Sequence, residues 1–215
     1  MSASTKSSHH DGHIFVCECD ERFRSACRSE IFYKEKDGKR YCVLHYPDKD
    51  KSKHFKEALE RKLAAKNFNF RGVWFPDLVD FRNFEFTDFA DFRAAIFNAH
   101  SYFSSAKFNK DVYFSSVIFD SVVNFSRAIF QEKSFANFSN TRFKDKVVFS
   151  NNVFATLFPL RFDDANIEKP ERVTFHTVSL RPHWFVNVDT RKFNFVSVGW
   201  AFWINAMLCN KSLTL

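Results

Sequence analysis

The sequence lacks most of what an enzyme needs. With four glycines in 215 residues, no phosphate-cradling loop appears. No paired acid–base set appears either. His176, His183 and Asp189 invite a catalytic reading, but no nucleophile or third group stands at meaningful spacing. They read as structural or surface residues, and the chain as non-enzymatic.

A secretion signal is missing too. Residues 1–14 are small and polar, with no hydrophobic core. They read as a disordered tail in which His9, His10 and His13 bind metal loosely at most. The expected compartment is therefore the cytoplasm, where thiols stay reduced. Long apolar runs are absent as well. The stretch FVSVGWAFWINAMLC (195–209) has fifteen residues, with Ser197, Gly199 and Asn205 inside it, against about 20 needed to span a bilayer. It is the sequence's one candidate for membrane association, and Cys209 within it reads as an apolar filler.

The third absence is an excess of acid. The net charge is +7, but residues 68–165 balance 11 Lys/Arg against 11 Asp/Glu. The basic excess sits in the flanks, 15 against 11 in residues 1–67 and 6 against 3 in residues 166–215. The flanking charges are interleaved, as in KEKDGKR and DKDKSK, which is the pattern of a solvated surface. No nucleic-acid partner is expected.

What the chain does have is phenylalanine, 31 of them. Phe70, Phe81, Phe92, Phe103, Phe114 and Phe125 recur every eleven residues, and Phe75, Phe86, Phe97, Phe108, Phe119 and Phe130 repeat that period offset by five. A fixed period is the mark of stacked repeats. On an α-helix, steps of five and six would put the two series on separate stripes. The residues between them, Ser, Asn, Asp, Val and Thr, favour strands and turns.

Two residues before most of these Phe stands a small or β-branched one: Val79, Ala90, Ala95, Ser101, Ala106, Val112 and their equivalents. Positions i−2 and i point to one side of a strand, so both face inward. Small or polar residues follow, such as Asn98, Ser104 and Ser115, and suit corners. The spacing therefore predicts Phe103 and Phe108 inside, with Asn98 and Ser104 at corners.

The run FRGVWFPDLVDFRNFEFTDFADFRAAIFNAHSYFSSAKFNKDVYFSSVIF resembles the pentapeptide-repeat proteins, in their Phe-centred variant. That resemblance implies an all-β fold, a right-handed quadrilateral parallel β-helix. Here 22 residues would make a coil, with four coils up to Phe154 and a solenoid about 20 Å long at ~4.8 Å per coil. After Phe130 each series is displaced by two, which reads as a bulge or outward loop at 131–137.

Ahead of the repeats, residues 15–50 carry Cys17, Cys19, Cys27, Cys42 and His45. In a reducing compartment clustered cysteines read as metal ligands before disulfides. Zinc takes four thiolate or imidazole donors in a tetrahedron, and a closed protein set makes the metal structural. The five donors outnumber four places: Cys27, Cys42 and His45, with Cys19 or Cys17 as fourth. Asp37-Gly38 reads as the hairpin turn of the loop between the donor pairs. Buried free cysteines are the plainer alternative. The ending YCVLHYP is similar to modules that precede some Phe-type repeats.

Residues 51–66 form the one good helix. Ser52 reads as its N-cap, Phe55, Ala58, Leu59 and Leu63 as its apolar stripe, and Glu57–Arg61 as a pair on the wet side. It is placed to cap the first coil, or else to bind a partner. The coils at 67–165 give way to β-rich pieces at 166–215, where Phe175, Leu180 and Phe185 keep the step of five and allow one irregular coil more. The stretch KPERVTFHTVSLRPHWFVNVDTRKFNF resembles relatives that continue into membrane-associated segments. The reading that results is a structural or protein-binding scaffold whose partner and oligomeric state the sequence does not name. The alternatives are a topoisomerase-protecting DNA mimic, which the neutral coils disfavour, and the soluble part of a membrane-associated protein.

Overall fold

The computed structural model describes residues 15–131, 135–153 and 160–201. Histidines 9, 10 and 13, Phe154 and the apolar stretch from 202 onward lie outside them, as do residues 132–134 of the predicted loop.

The chain opens with a small unit. A 3-10 helix, Glu21–Ala26, is followed by a hairpin of β1 (Phe32–Lys36) and β2 (Lys39–Cys42). Asp37 and Gly38 both have positive φ, 51° and 72°, the type I′ turn that Asp-Gly favours. A 3-10 turn, Lys49–Lys51, then leads into α1 (Ser52–Ala64). Ser52 is therefore the first helical residue and not the N-cap. The 3-10 turn displaces the cap, and Ser52 Oγ donates to the Lys49 carbonyl at 2.8 Å. Arg61 pairs with Glu30 of the preceding unit at 3.4 Å, not with Glu57.

The rest is a parallel β-solenoid of about five turns. Its first coil consists of four two-residue strands, β3 (Trp74–Phe75), β4 (Val79–Asp80), β5 (Glu85–Phe86) and β6 (Ala90–Asp91). Each begins a column of strands. Trp74 pairs with Ile96 and Ile96 with Ile118, 22 residues apart each time, and Ile118 then pairs with Arg142, 24 residues on. The two added residues lie between Ile129–Phe130 and Ala136–Asn137, where the interval is seven; between β5 and β6 it is five. The displacement read from the Phe spacing falls in this interval, and Ala136–Asn137 of the expected bulge or loop are instead a strand paired with Val112–Tyr113. Parallel pairing carries on past residue 165, through Val173–His176 and Asn194–Val196 and through Ser179–Leu180 with Gly199–Trp200. The first residues of the apolar stretch thus belong to the stack. Among the described residues no helix is long and apolar enough to cross a membrane.

Four columns of rings fill the interior. Phe92 stacks on Phe114 at 4.9 Å and Phe114 on Phe138 at 4.8 Å, with planes within 7° of parallel. Phe97 and Phe119, Phe103 and Phe125, and Phe86 and Phe108 each repeat this at 4.9 Å. The distance is the strand spacing itself, so backbone pairing and ring stacking share one register. Phe103 and Phe108 are wholly buried, as are Ala95, Ala106, Val112 and Val117 at the i−2 positions.

At the corners, Asn98 Nδ2 donates to the Phe75 carbonyl of the previous coil at 3.0 Å, and Ser104 sits in a turn. Each such turn is closed by an i→i+3 bond, as from Ala95 N–H to the Phe92 carbonyl at 2.9 Å. The residue at its third position has positive φ: Gly72, Asn83, Ala94, Ser105, Ser116, Arg127 and Asn140. Type II turns ask for glycine there. Only Gly72 obliges, and it must, because a Cβ would lie 2.2 Å from the Phe23 ring of the N-terminal unit.

Candidate metal centre

The N-terminal unit folds so that four sulfurs converge. The extended segment before the 3-10 helix runs beside β2, with Glu18 N–H donating to the Arg40 carbonyl at 2.8 Å. Cys17 and Cys19, two apart on that segment, both turn toward the interior and are buried. Asp20 then caps the 3-10 helix by accepting from Arg22 N–H at 3.0 Å, and Cys27 follows its end. Cys42 closes β2. A tight turn, with Tyr46 N–H bonded to the Cys42 carbonyl at 3.0 Å, brings His45 back over it.

The donor atoms of Cys17, Cys27, Cys42 and His45 all lie within 4.8 Å of one another. A tetrahedral zinc with bonds of about 2.3 Å to sulfur spaces its ligands about 3.8 Å apart, so the set could hold a metal ion. His45 Nδ1 is 3.4 Å from Cys42 Sγ and 4.0 Å from Cys17 Sγ. Its Nε2 lies 2.9 Å from the Arg71 carbonyl, which can only accept. The proton is therefore on Nε2, and the lone pair of Nδ1 faces the sulfurs. Cys42 N–H donates to Cys17 Sγ at 3.4 Å.

All five predicted donors are buried, Cys42 completely. Four of them form the convergent set, in which Cys17 takes the fourth place. Cys19 stands beside it, hydrogen-bonded to Cys17, and that bond pushes its own thiol up to about 12. The hydrogen bond with Cys17 likewise pushes Cys42 up to about 12 and raises Cys27. Cys17, accepting from Cys19, Cys27 and Cys42, is held well below the ordinary thiol range.

Two buried lysines brace the cluster, and the sequence reading assigned neither a role. Lys51 is fully buried, donating to the carbonyls of Val43 (2.7 Å) and Leu44 (2.9 Å), the two residues between Cys42 and His45. Its Nζ also lies 4.7 Å from the Phe55 ring centre and 5.4 Å from that of Trp74. Burial lowers its pKa well below 10.5. Lys62 donates to the Ala26 carbonyl at 2.9 Å and lies over Phe70. Lys62 had a signal, since it stands seven residues beyond Phe55 on the same helical face. Lys51 had none.

The cluster is joined to the first coil. His45 meets the Arg71 carbonyl, and Arg71 Nε reaches the buried carboxylate of Asp91 at 2.7 Å, which Arg93 also grips at 2.7 Å. Trp74 N–H donates to the Leu44 carbonyl at 3.0 Å, extending the column of β3 into the N-terminal unit. Phe55 of α1 meets Phe75 edge-on at 5.4 Å.

The residues that invited catalysis are apart. His176 Nδ1 bonds Ser150 and Thr177 hydroxyls at 3.2 Å, Asp189 pairs with Arg191, and His183 lies against Trp184. Fold and site together define a β-solenoid repeat protein with a buried Cys/His cluster at the start of its stack. Compared with protein-family models, curated proteins and solved structures, the chain matches none.

Proposed function

We propose that the chain is a non-enzymatic pentapeptide-repeat scaffold that binds another protein in the cytoplasm, with its first coil closed by a zinc-held module. In this reading residues 15–50 are the module, 51–66 the cap, 67–165 the regular coils and 166–215 an irregular extension. The hydrogen bond from His45 Nε2 to the Arg71 carbonyl carries the proposal. One ring then serves the metal through Nδ1 and the solenoid through Nε2, so ordering the cluster orders the first coil.

Zinc suits a set of three thiolates and one imidazole. Bound there, it would supply folding free energy and fix the turn that presents Leu44 and His45 to the coil. Four protein donors leave no position for substrate, which supports a structural role. The topoisomerase-protecting alternative needs unpaired acids along the coils. Instead Asp80, Asp91, Asp120 and Asp145 each lie within 4.0 Å of an Arg or Lys.

Elemental analysis of protein purified without chelator should find one zinc per chain. Stripping it should make the full chain self-associate, measured by light scattering, as the first coil loses its cover and its strand edges open. Metal-free protein that is folded and monodisperse would overturn the proposal. A supercoiling assay with added protein tests the topoisomerase reading, and unchanged activity is expected.

A further inference from the structure

Two strands of the first coil, β4 and β5, end their sheets with an open edge, and β4 is the one beside α1. In the second coil, the His100 carbonyl accepts from Val79 N–H at 3.0 Å and the Tyr102 carbonyl from Phe81 N–H at 2.8 Å. The Leu78 and Asp80 carbonyls, with Asp80 N–H between them, are the same groups one coil earlier, by the register that pairs Val79 with Ser101. Among the described residues no strand or loop bonds them, and β4 ends its sheet. By contrast, β3 is met by Leu44 and β6 is preceded by the Asn69–Asp91 bridge.

A groove runs along this edge. It has a volume of about 320 Å³, and α1 forms its other wall. Phe55, Leu59 and Val79 supply an apolar floor, and Leu78, 53% exposed, a rim. Lys53 and Lys56 stand exposed on the helical wall with no ion pair among the described residues, facing the single acid Asp77. Asp80, Asp88 and Asp91 of the first coil each pair with a basic side chain elsewhere, which leaves these two lysines as positive charge at an apolar groove with unmade backbone bonds.

We propose that the groove receives an extended peptide from a partner protein, added as a strand to β4. Its aliphatic side chains would lie against Phe55, Leu59 and Leu78, and its acidic side chains against Lys53 and Lys56. Main-chain bonds to Leu78 and Asp80 give affinity, and the alternation of side chains gives selectivity. Such docking presupposes the protein-binding scaffold proposed above, yet the peptide titration can fail while metal content and capping hold.

The test is fluorescence anisotropy on the full chain with a labelled short peptide of alternating valine and glutamate. Saturable binding is expected, weakened about tenfold or more by the double charge reversal Lys53→Glu, Lys56→Glu. The valine–lysine counterpart should bind the reversed variant and not the parent. A valine–glutamate peptide N-methylated at every residue, which cannot donate main-chain bonds, should not bind. The proposal is overturned by absence of binding, by equal binding of the two charge types, or by undiminished binding of the methylated peptide. A dimer of the chain that Leu78→Asp dissociates would overturn it as well, by assigning the groove to a second copy.

Discussion

Truncating Phe103 measures what one ring in a column is worth. Its side chain is fully buried, stacked on Phe125 at 4.9 Å and tilted against Phe81 at 5.3 Å, with Phe92 and Phe114 edge-on at 5.8 and 5.4 Å. A buried Phe hides ~150–250 Å². At ~25 cal/mol per Å² that is about 4–6 kcal/mol, and Phe103→Ala should cost ~3–5 kcal/mol once the retained Cβ is counted. Phe103→Leu keeps most of the apolar area and loses chiefly the ring contacts, at ~0.5–1.5 kcal/mol per ring pair, so ~1–3 kcal/mol for the two column neighbours Phe125 and Phe81. Phe195, half-buried in the last described coil and stacked among the described residues on Phe175 alone at 5.7 Å, with Trp200 edge-on at 5.2 Å, should cost less than half as much as Phe103 on truncation. Urea denaturation followed by circular dichroism reads all three, provided the slope is unchanged. A loss below about 1 kcal/mol for Phe103→Ala, or equal losses for Phe103→Ala and Phe195→Ala, would refute the picture of columns in which each ring depends on its neighbours.

Cys42→Ser should release the metal while Cys19→Ser keeps it, as elemental analysis will show; loss in both would place Cys19 among the ligands. Because thiolate ligands must be deprotonated, bound metal should also fall away as pH drops, with a chromogenic chelator as the reporter. Lys51 has a folded pKa below 10.5, so between that lowered value and 10.5 the folded state binds fewer protons than the unfolded one and stability rises with pH. Lys51→Met should flatten that rise in urea midpoints taken from about pH 7 to about pH 10, and an unaltered slope would show that the amine is not what titrates. Ala94→Gly should raise the midpoint by up to ~1 kcal/mol, since relief of ~1–2 kcal/mol of left-handed strain exceeds the entropy that glycine adds. Gly72→Ala should lower it by more, through its φ of 62° and the ring of Phe23; a neutral Gly72→Ala would mean that the ring does not press on the turn.

The solenoid was legible because its cause is local and repeated. An inward Phe with a small residue two before it defines a strand face, and the eleven-residue recurrence says that the faces stack. The cluster was legible as a set but not in detail, for Cys17 and Cys19 lie on the same side of one extended segment and only the fold ranks them. Lys51 was illegible because its burial depends on carbonyls that the turn after Cys42 happens to aim at it. The Ser52 cap and the Glu57–Arg61 pair failed for a related reason. Each was the best local partner, and tertiary contact offered another, the 3-10 turn before α1 in one case and Glu30 in the other. The repeated Asp-x-Arg of 80–82 and 91–93, where the carboxylate binds both the amide and the guanidinium two residues on, was open to view and went unread.

The bonds from Leu44 to Trp74 and from His45 to Arg71 give the stack a direction. Every later strand is templated by one already laid down about 22 residues before it, so each loop closure costs about the same and none spans the whole chain. The N-terminal unit leaves the ribosome before the coils and can close before any coil exists. It can then serve as a seed, offering the first coil an edge on which the later rungs can be laid in turn, as a crystal is built on a face.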